Sequence, residues 1–399
     1  MAVTPELGRW EALVAARARG APDDGIASVL ALLGVPGLIS FAGGFPDPET
    51  FPRERVAEMF QEFADQGEST AFQYAQTRGL AGTLDALAGR LETLQGRRPA
   101  DGELVITSGA IEALELIGKS FIDPGDLVVV EAPTYLGALQ AFRGFEARLA
   151  AVPLDNEGLV VDELERRLAE GGLRPKLVYT IPDHQNPAGV SLSLERRTLL
   201  VSLAERYGFL IVEDVAYREL GFADDALPSL WSLAPDSVVQ TGTTSKTLFP
   251  GLRLGWAVGP AEVVTQLVAA KQTTDQCAAA LGQRLLEESI RRGWLDEQVT
   301  RSCALYAHKC ERMLAALERS MPDGVRWTQP RGGFFSWLTL PAETDSVELA
   351  RRAVEQGVGI VPGSLFFIDG SGADKVRLSF SMVDVAHIDE GIAKLGSLL

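Results

Sequence analysis

The stretch Ser237-Val238-Val239-Gln240-Thr241-Gly242-Thr243-Thr244-Ser245-Lys246-Thr247-Leu248-Phe249-Pro250-Gly251-Leu252-Arg253-Leu254-Gly255 decides the reading of this chain. It opens as a short apolar strand and runs into a loop of hydroxyls and glycines. That loop carries one lysine and one arginine in otherwise uncharged sequence. Hydroxyls, an amine and a guanidinium converging in one loop make an anion site with a candidate nucleophilic amine. Outward from it the same order of strand, loop and helix recurs. Leu104-Val105-Ile106 precedes a helical run from Ile111 to Phe121, and Leu127-Val128-Val129-Val130 follows the turn Asp123-Pro124-Gly125-Asp126. Leu177-Val178-Tyr179-Thr180-Ile181 precedes a proline-rich loop, and a helix from Leu194 to Tyr207 leads through Gly208 into Phe209-Leu210-Ile211-Val212. Continuous apolar strands alternating with helices predict an α/β fold with a mainly parallel sheet covered on both faces. Beyond residue 284 a charged helical stretch, Gln283 to Leu317, leads into Trp327, Phe334-Phe335-Ser336-Trp337-Leu338 and Val376-Arg377-Leu378-Ser379-Phe380. This reads as a smaller α+β domain. The expected division is a large domain over 47–283 and a small one made of 1–46 with 284–399.

The 399 residues suggest two or three lobes. With 46% hydrophobic and 23% charged residues the chain has the balance of a soluble globular protein. A net charge of -17 argues against a nucleic-acid backbone or an anionic membrane as partner, although local charge can still hold an anionic cofactor. Cys277, Cys303 and Cys310 form no CxxC pair and read as reduced packing residues of a cytoplasmic protein. Glu6, Arg9, Glu11, Arg17 and Arg19, with no apolar run among them, do not make a signal peptide. Ile26 to Pro46 lacks charge and is long enough to span a bilayer, but Gly34, Pro36, Gly37, Gly43, Gly44 and Pro46 break it. Ser40-Phe41-Ala42-Gly43-Gly44 reads instead as a strand entering a tight loop. No spacing of His, Cys, Asp and Glu suggests a metal site; His184, His308 and His387 read as a locally bonded loop residue and two solvated helix residues.

Ligands of open α/β sheets bind beyond the carboxyl ends of the strands. The first strand is followed by Thr107-Ser108-Gly109-Ala110-Ile111, a small-residue turn into a helix whose free N–H groups suit a phosphate. The second leads into Glu131-Ala132-Pro133-Thr134-Tyr135, which offers an aromatic ring to a flat ligand. Beyond the third lies Ile181-Pro182-Asp183-His184-Gln185-Asn186-Pro187-Ala188-Gly189, with the Asn186 amide. The fourth meets Val212-Glu213-Asp214-Val215-Ala216-Tyr217; there Asp214 is expected to be partly desolvated and to need a cationic partner.

Together and in this order these residues resemble the class I, fold type I, pyridoxal-phosphate-dependent aminotransferases. The likeness runs over roughly residues 25 to 395. Gln185-Asn186-Pro187-Ala188-Gly189, Asp214 with Tyr217, and Ser245-Lys246 with Arg253 carry it most specifically. Ile39-Ser40-Phe41-Ala42-Gly43-Gly44-Phe45-Pro46 and Gln73-Tyr74 look most like the α-aminoadipate/kynurenine aminotransferase II branch. The resemblance implies ping-pong transfer of an amino group from an amino acid to a 2-oxo acid such as 2-oxoglutarate or pyruvate, with pyridoxal 5′-phosphate as cofactor. Lys246 would hold the cofactor as an internal aldimine and, once released, move a proton. Asp214 would pair with the pyridine nitrogen, Asn186 and Tyr217 would hydrogen-bond the ring oxygen, and Tyr135 would stack on the ring. Gly109, Ala110 and Ile111 through their N–H groups, with Thr243, Ser245 and Arg253, would hold the phosphate. Tyr74 would reach the phosphate of a neighbouring subunit, which implies a homodimer with shared sites. Arg377 would grip the substrate α-carboxylate, with Asn186 and Gly44 beside it.

Three departures stand out. Ala110, Ile111 and Glu112 replace the serine and glutamines usual in this branch, so a side-chain phosphate donor is lost. Ala188-Gly189 stands for Thr-Gly. Ala27 aligns where dicarboxylate-using members place an arginine, which leaves, with Leu30, Leu33 and Phe45, an apolar pocket edge and predicts a neutral amino donor. Cyclases, oxidases, lyases and decarboxylases of amino acids share the same scaffold and the same Lys246, Asp214 and Arg377. An aminotransferase-like regulator would need a DNA-binding module of about 60 residues or more ahead of the core, and only about 25 precede it here.

Overall fold

The computed structural model describes residues 10, 13–19, 37–65, 67, 69–223 and 225–399. The apolar runs form an eight-stranded sheet. Its strands are β1 (Leu104–Thr107), β2 (Leu127–Ala132), β3 (Arg148–Asp155), β4 (Gly158–Leu159), β5 (Leu177–Thr180), β6 (Leu210–Asp214), β7 (Val238–Thr243) and β8 (Gly255–Val258). They lie in the order β1-β8-β7-β6-β5-β2-β3-β4. The central pairs are parallel and β8 runs antiparallel between β1 and β7.

Successive side chains on a strand face opposite ways, so each apolar run feeds two cores. Val129, Val178, Ile211 and Val238 pack with Leu87, Leu200 and Trp231 on one face. Val128, Val130, Tyr179, Val212 and Val239 pack with Leu116, Phe142 and Leu267 on the other. Register then decides what meets at the edge. Thr107 and Thr243 both lie across from Gly255, and Asp214 lies across from Thr241. The phosphate-type turn after β1, the lysine loop after β7 and the acidic end of β6 are therefore neighbours.

Arg326–Trp327, Phe335–Thr339, Lys375–Ser379 and Val361–Pro362 form a separate antiparallel sheet. The N-terminal segment joins it. Ile39–Ser40 pairs with Val358–Gly359, and Phe41 accepts from the Ser379 N–H at 2.8 Å. The helical stretch expected from Gln283 to Leu317 is two helices, Ala280–Arg291 and Trp294–Ser320, separated at Gly293 with φ +71°. The first packs on the helix Ala81–Gln95 of the large sheet, where Gln283 accepts from the Leu80 N–H at 2.7 Å. A boundary at 283/284 would cut that helix, so the change of lobe falls at Gly293 instead. The charge pattern runs through the break without a proline, which is why the sequence reads as one helix. His308 and His387 are exposed on helices. Among the described residues no helix is long and apolar enough to cross a membrane.

Candidate active site

The helix Ala110–Phe121 starts at Gly109, whose φ of +98° suits glycine. The first N–H groups of a helix have no acceptor within it; here Ala113 is the first to bond back, to the Gly109 carbonyl at 3.4 Å. Arg253 closes the short turn Pro250–Leu252 in a left-handed conformation. Its guanidinium lies against the helix start, since a Cβ on Gly109 would sit 2.8 Å from Arg253 Nη2. Arg253 bonds to Ser245 Oγ (3.5 Å) and the Pro250 carbonyl (3.3 Å), not to a carboxylate. Thr243 Oγ1 donates to Ser245 Oγ at 2.9 Å. Hydroxyls, a guanidinium without a counter-ion and a helix N-terminus thus share one cradle suited to a phosphate.

At the end of β6 Asp214 is buried, 3% exposed. It accepts from the Tyr179 hydroxyl (2.9 Å) and the Ala216 N–H (3.1 Å). Both donors are neutral. The expected partial desolvation is nearly complete, and the expected cationic partner is not among its bonded residues. Burial pushes its carboxyl above the usual range, with the nearby Lys246 charge opposing. A buried carboxylate short of a cation fits a protonated ring nitrogen. Tyr217 is buried and Tyr135 half-buried; burial raises both phenols, that of Tyr135 to about 12. Asn186 hydrogen-bonds the Tyr217 side chain.

Lys246 donates to the Gly44 carbonyl at 2.9 Å and lies 5.8 Å from the ring centres of Tyr217 and Phe334. Desolvation and the Arg377 charge lower its amine to about 8, while Asp214 opposes. Arg377, 5% exposed, donates to Asn186 Oδ1 (3.0 Å) and the Ala42 carbonyl (2.6 Å). Its guanidinium lies between two rings, 4.5 Å from Phe335 and 4.9 Å from Phe366, and its Nε has no partner. Burial lowers it to about 10. Gly44 keeps the segment close, because a Cβ there would meet Phe335 at 2.7 Å.

The family model for class I and II aminotransferases matches residues 38–395 of this chain. The chain belongs to that family. It is 39% identical over 394 residues to an aromatic-amino-acid aminotransferase of Thermococcus litoralis, covering 98% of this chain and 94% of the relative. A kynurenine aminotransferase structure from Pyrococcus horikoshii, solved with PMP, superposes with a TM-score of 0.94 at 38% identity over 98% of both chains. An α-aminoadipate aminotransferase from Thermus thermophilus, complexed with N-(5′-phosphopyridoxyl)-L-leucine, gives 0.90 at 39% identity, again over 98% of both. The protein is an aminotransferase of fold type I, moving an amino group between an amino acid and a 2-oxo acid.

Of the predicted positions, the aminotransferase brings Lys246, Asp214, Tyr217, Asn186, Arg377, Tyr135 and Gly44 into one pocket, with Gly109, Ala110, Thr243, Ser245 and Arg253 at its phosphate end. Ile111 contributes the helix start, while its side chain is 36% exposed. Tyr74 is 79% exposed on the surface of the single chain. Ala27, Leu30 and Leu33 lie outside the described residues. Sequence reading missed three supports. Tyr179 holds Asp214; its signal was a phenol inside an apolar strand one position over in the sheet. Gln185 braces the loop by donating to Glu131 (2.8 Å) and accepting from the Ala188 N–H (2.7 Å). Glu112, the departure in the turn, accepts from the Ser108 N–H and pairs with buried Lys271 at 2.7 Å. Lys271 also bonds Asp275 at 2.8 Å, so an ionic brace stands beside the turn that lost a side-chain donor.

Proposed function

We propose that the enzyme transfers an amino group from a neutral, preferably aromatic, L-amino acid to a 2-oxo acid in two half-reactions, on pyridoxal 5′-phosphate covalently anchored at Lys246. The carrying observation is the pocket in which a desolvated amine, an anion-starved arginine and a cation-starved aspartate face one another. Each is half of an ion pair whose other half the cofactor or substrate supplies. When bound, the cofactor supplies an electron sink for charge developing at the substrate α-carbon. Arg253, Ser245, Thr243 and the N–H groups of Gly109, Ala110 and Ile111 would hold the phosphate. Asp214 would keep the ring nitrogen protonated, Tyr217 and Asn186 would orient the ring oxygen, and Tyr135 would cover the ring.

Arg377 binds the substrate carboxylate through its planar fork, held open by Phe335 and Phe366. An amine lowered to about 8 is partly neutral near physiological pH, so Lys246 Nζ can take up and return a proton without a large energetic cost. The aromatic wall of Phe335, Phe366 and Trp337 supports an apolar donor, as does Ala27. Exposed Tyr74, with Phe72 beside it at 64% exposure, supports a homodimer in which Tyr74 reaches the partner's phosphate. The lobes are taken as 47–292 and 293–399, the segment before 47 belonging with the second. Three free cysteines support a reducing, cytoplasmic setting.

Borohydride reduction of the loaded enzyme followed by peptide mapping should place the pyridoxyl adduct on Lys246. An adduct on another lysine overturns the assignment. A donor series of phenylalanine, kynurenine, leucine, methionine and α-aminoadipate should rank α-aminoadipate last in kcat/KM. An active monomer in sedimentation would overturn the shared site.

A further inference from the structure

Behind the cofactor strands the molecule has a second hollow. A cleft of about 830 Å³ opens between the helix Ala81–Gln95 and the loop at Val190–Ser193 on one side, and the long helix and Trp327–Gln329 of the small lobe on the other. It touches Val215, Ala216 and Thr243, yet Lys246, Tyr135, Tyr217 and Arg377 do not line it. Its volume is that of a small-molecule pocket, and interlobe clefts are favoured places for one.

Charge limits what could enter. Four arginines and four carboxylates line the cleft, and each is already paired. Asp183 bonds Arg197 at 2.6 Å and Arg218 at 2.8 Å. Arg90 joins Asp296 at 2.5 Å and also holds Glu219, while Arg331 holds Asp225. The wall has no net charge, so an ion entering it would lose water without gaining a counter-ion. Hydrogen bonding points the other way, toward a polar guest. Trp256 Nε1, Trp327 Nε1 and Arg90 Nε on this wall are buried without a partner, as are His184 Nδ1 and Ser193 Oγ. The indole N–H and the arginine Nε–H can only donate, and a buried donor left unpaired is costly. Between these groups the wall is apolar, with Leu87, Leu91, Val190 and Val299.

We propose that this cleft is a second, non-catalytic site for an uncharged, flat molecule that carries hydrogen-bond acceptors. Such a guest meets the apolar wall with its faces and the unpaired N–H groups with its edge, and it bridges the two lobes.

The test titrates the holoenzyme with Nile red, a neutral planar dye with a ring carbonyl. Saturable binding at one site per chain, undisturbed by saturating amino-acid substrate, is expected. Val299→Trp fills the cleft and should weaken binding about tenfold or more with transaminase turnover unchanged. Trp327→Phe keeps the ring and removes the donor, and should weaken binding by a smaller factor. If Val299→Trp lowers Tm enough to compromise folding, Thr300→Trp on the exposed rim of the same helix replaces it. No saturable binding, displacement by the amino acid, or binding indifferent to these variants overturns the proposal.

Discussion

Two buried arginine–aspartate regions lie within the same molecule and are built oppositely. Around Asp183 the charges are complete: Arg197 and Arg218 flank it, and their attraction holds its carboxyl down at about 2 against burial. Arg197, fully buried, also donates to the carbonyls of Leu192, Pro182 and Pro228. In the catalytic pocket nothing is complete. Asp214 has only neutral donors, Arg377 has only neutral acceptors and an idle Nε, and Lys246 rests on a carbonyl. The pKa shifts follow: Asp183 falls, whereas Asp214 rises and Lys246 and Arg377 fall. A buried charge paired within the chain serves the fold. A buried charge left unpaired costs stability and is kept where a ligand supplies the missing half.

That contrast can be broken experimentally. The largest effect expected is on turnover: Asp214→Asn removes the charge meant for the ring nitrogen and should lower kcat by about a thousandfold or more, roughly 4 kcal/mol. Its folded state, relieved of a buried carboxylate, should melt no lower. Near-normal turnover would mean that Asp214 is a structural residue like Asp183. The converse variant, Arg197→Met, should cost about 3–5 kcal/mol of stability by stranding Asp183, seen as a fall in denaturation midpoint. Its activity per folded molecule should persist.

Lys246 sharpens the contrast through pH. An amine lowered to about 8 is neutral, and so nucleophilic, above that pH, and is protonated and inert below it. Acetylation of Lys246 in cofactor-free enzyme, followed by peptide mapping, should therefore rise with a midpoint near pH 8. Exposed lysines should rise only toward 10.4. Arg377→Lys replaces the fork with a point charge and should lower kcat/KM by about 1.5–3 kcal/mol, roughly tenfold to a hundredfold, mainly through KM. The smallest effect concerns the rings. Phe366→Leu should raise KM by a factor corresponding to about 0.5–2 kcal/mol of lost cation–π contact, with kcat nearly unchanged. An unchanged KM would show that the rings do not position Arg377.

The site was legible where chemistry forces residue type in a short span. Lys246, Ser245 and Arg253 stand in one loop, and Asn186 and Asp214 follow apolar strands that could be read directly. The supports were not legible, because each depends on register between distant segments. Tyr179 meets Asp214 only since β5 and β6 pair in parallel, and Phe366 reaches Arg377 from a different loop. The need of Asp214 for a cation could be foreseen; that the chain withholds one could not. The helix break at Gly293 was hidden by charge periodicity that continues across it.

By itself the sequence determined the α/β order, the strands that end at the pocket and the anchoring lysine. These follow from apolar runs, turn residues and side-chain chemistry acting over a few positions. Only the tertiary structure decided which buried charges are satisfied. Pairing is a matter of ångströms between residues far apart in the chain, as between Asp183 and Arg218 or Ala42 and Arg377, and the dielectric around each group is set by everything packed against it.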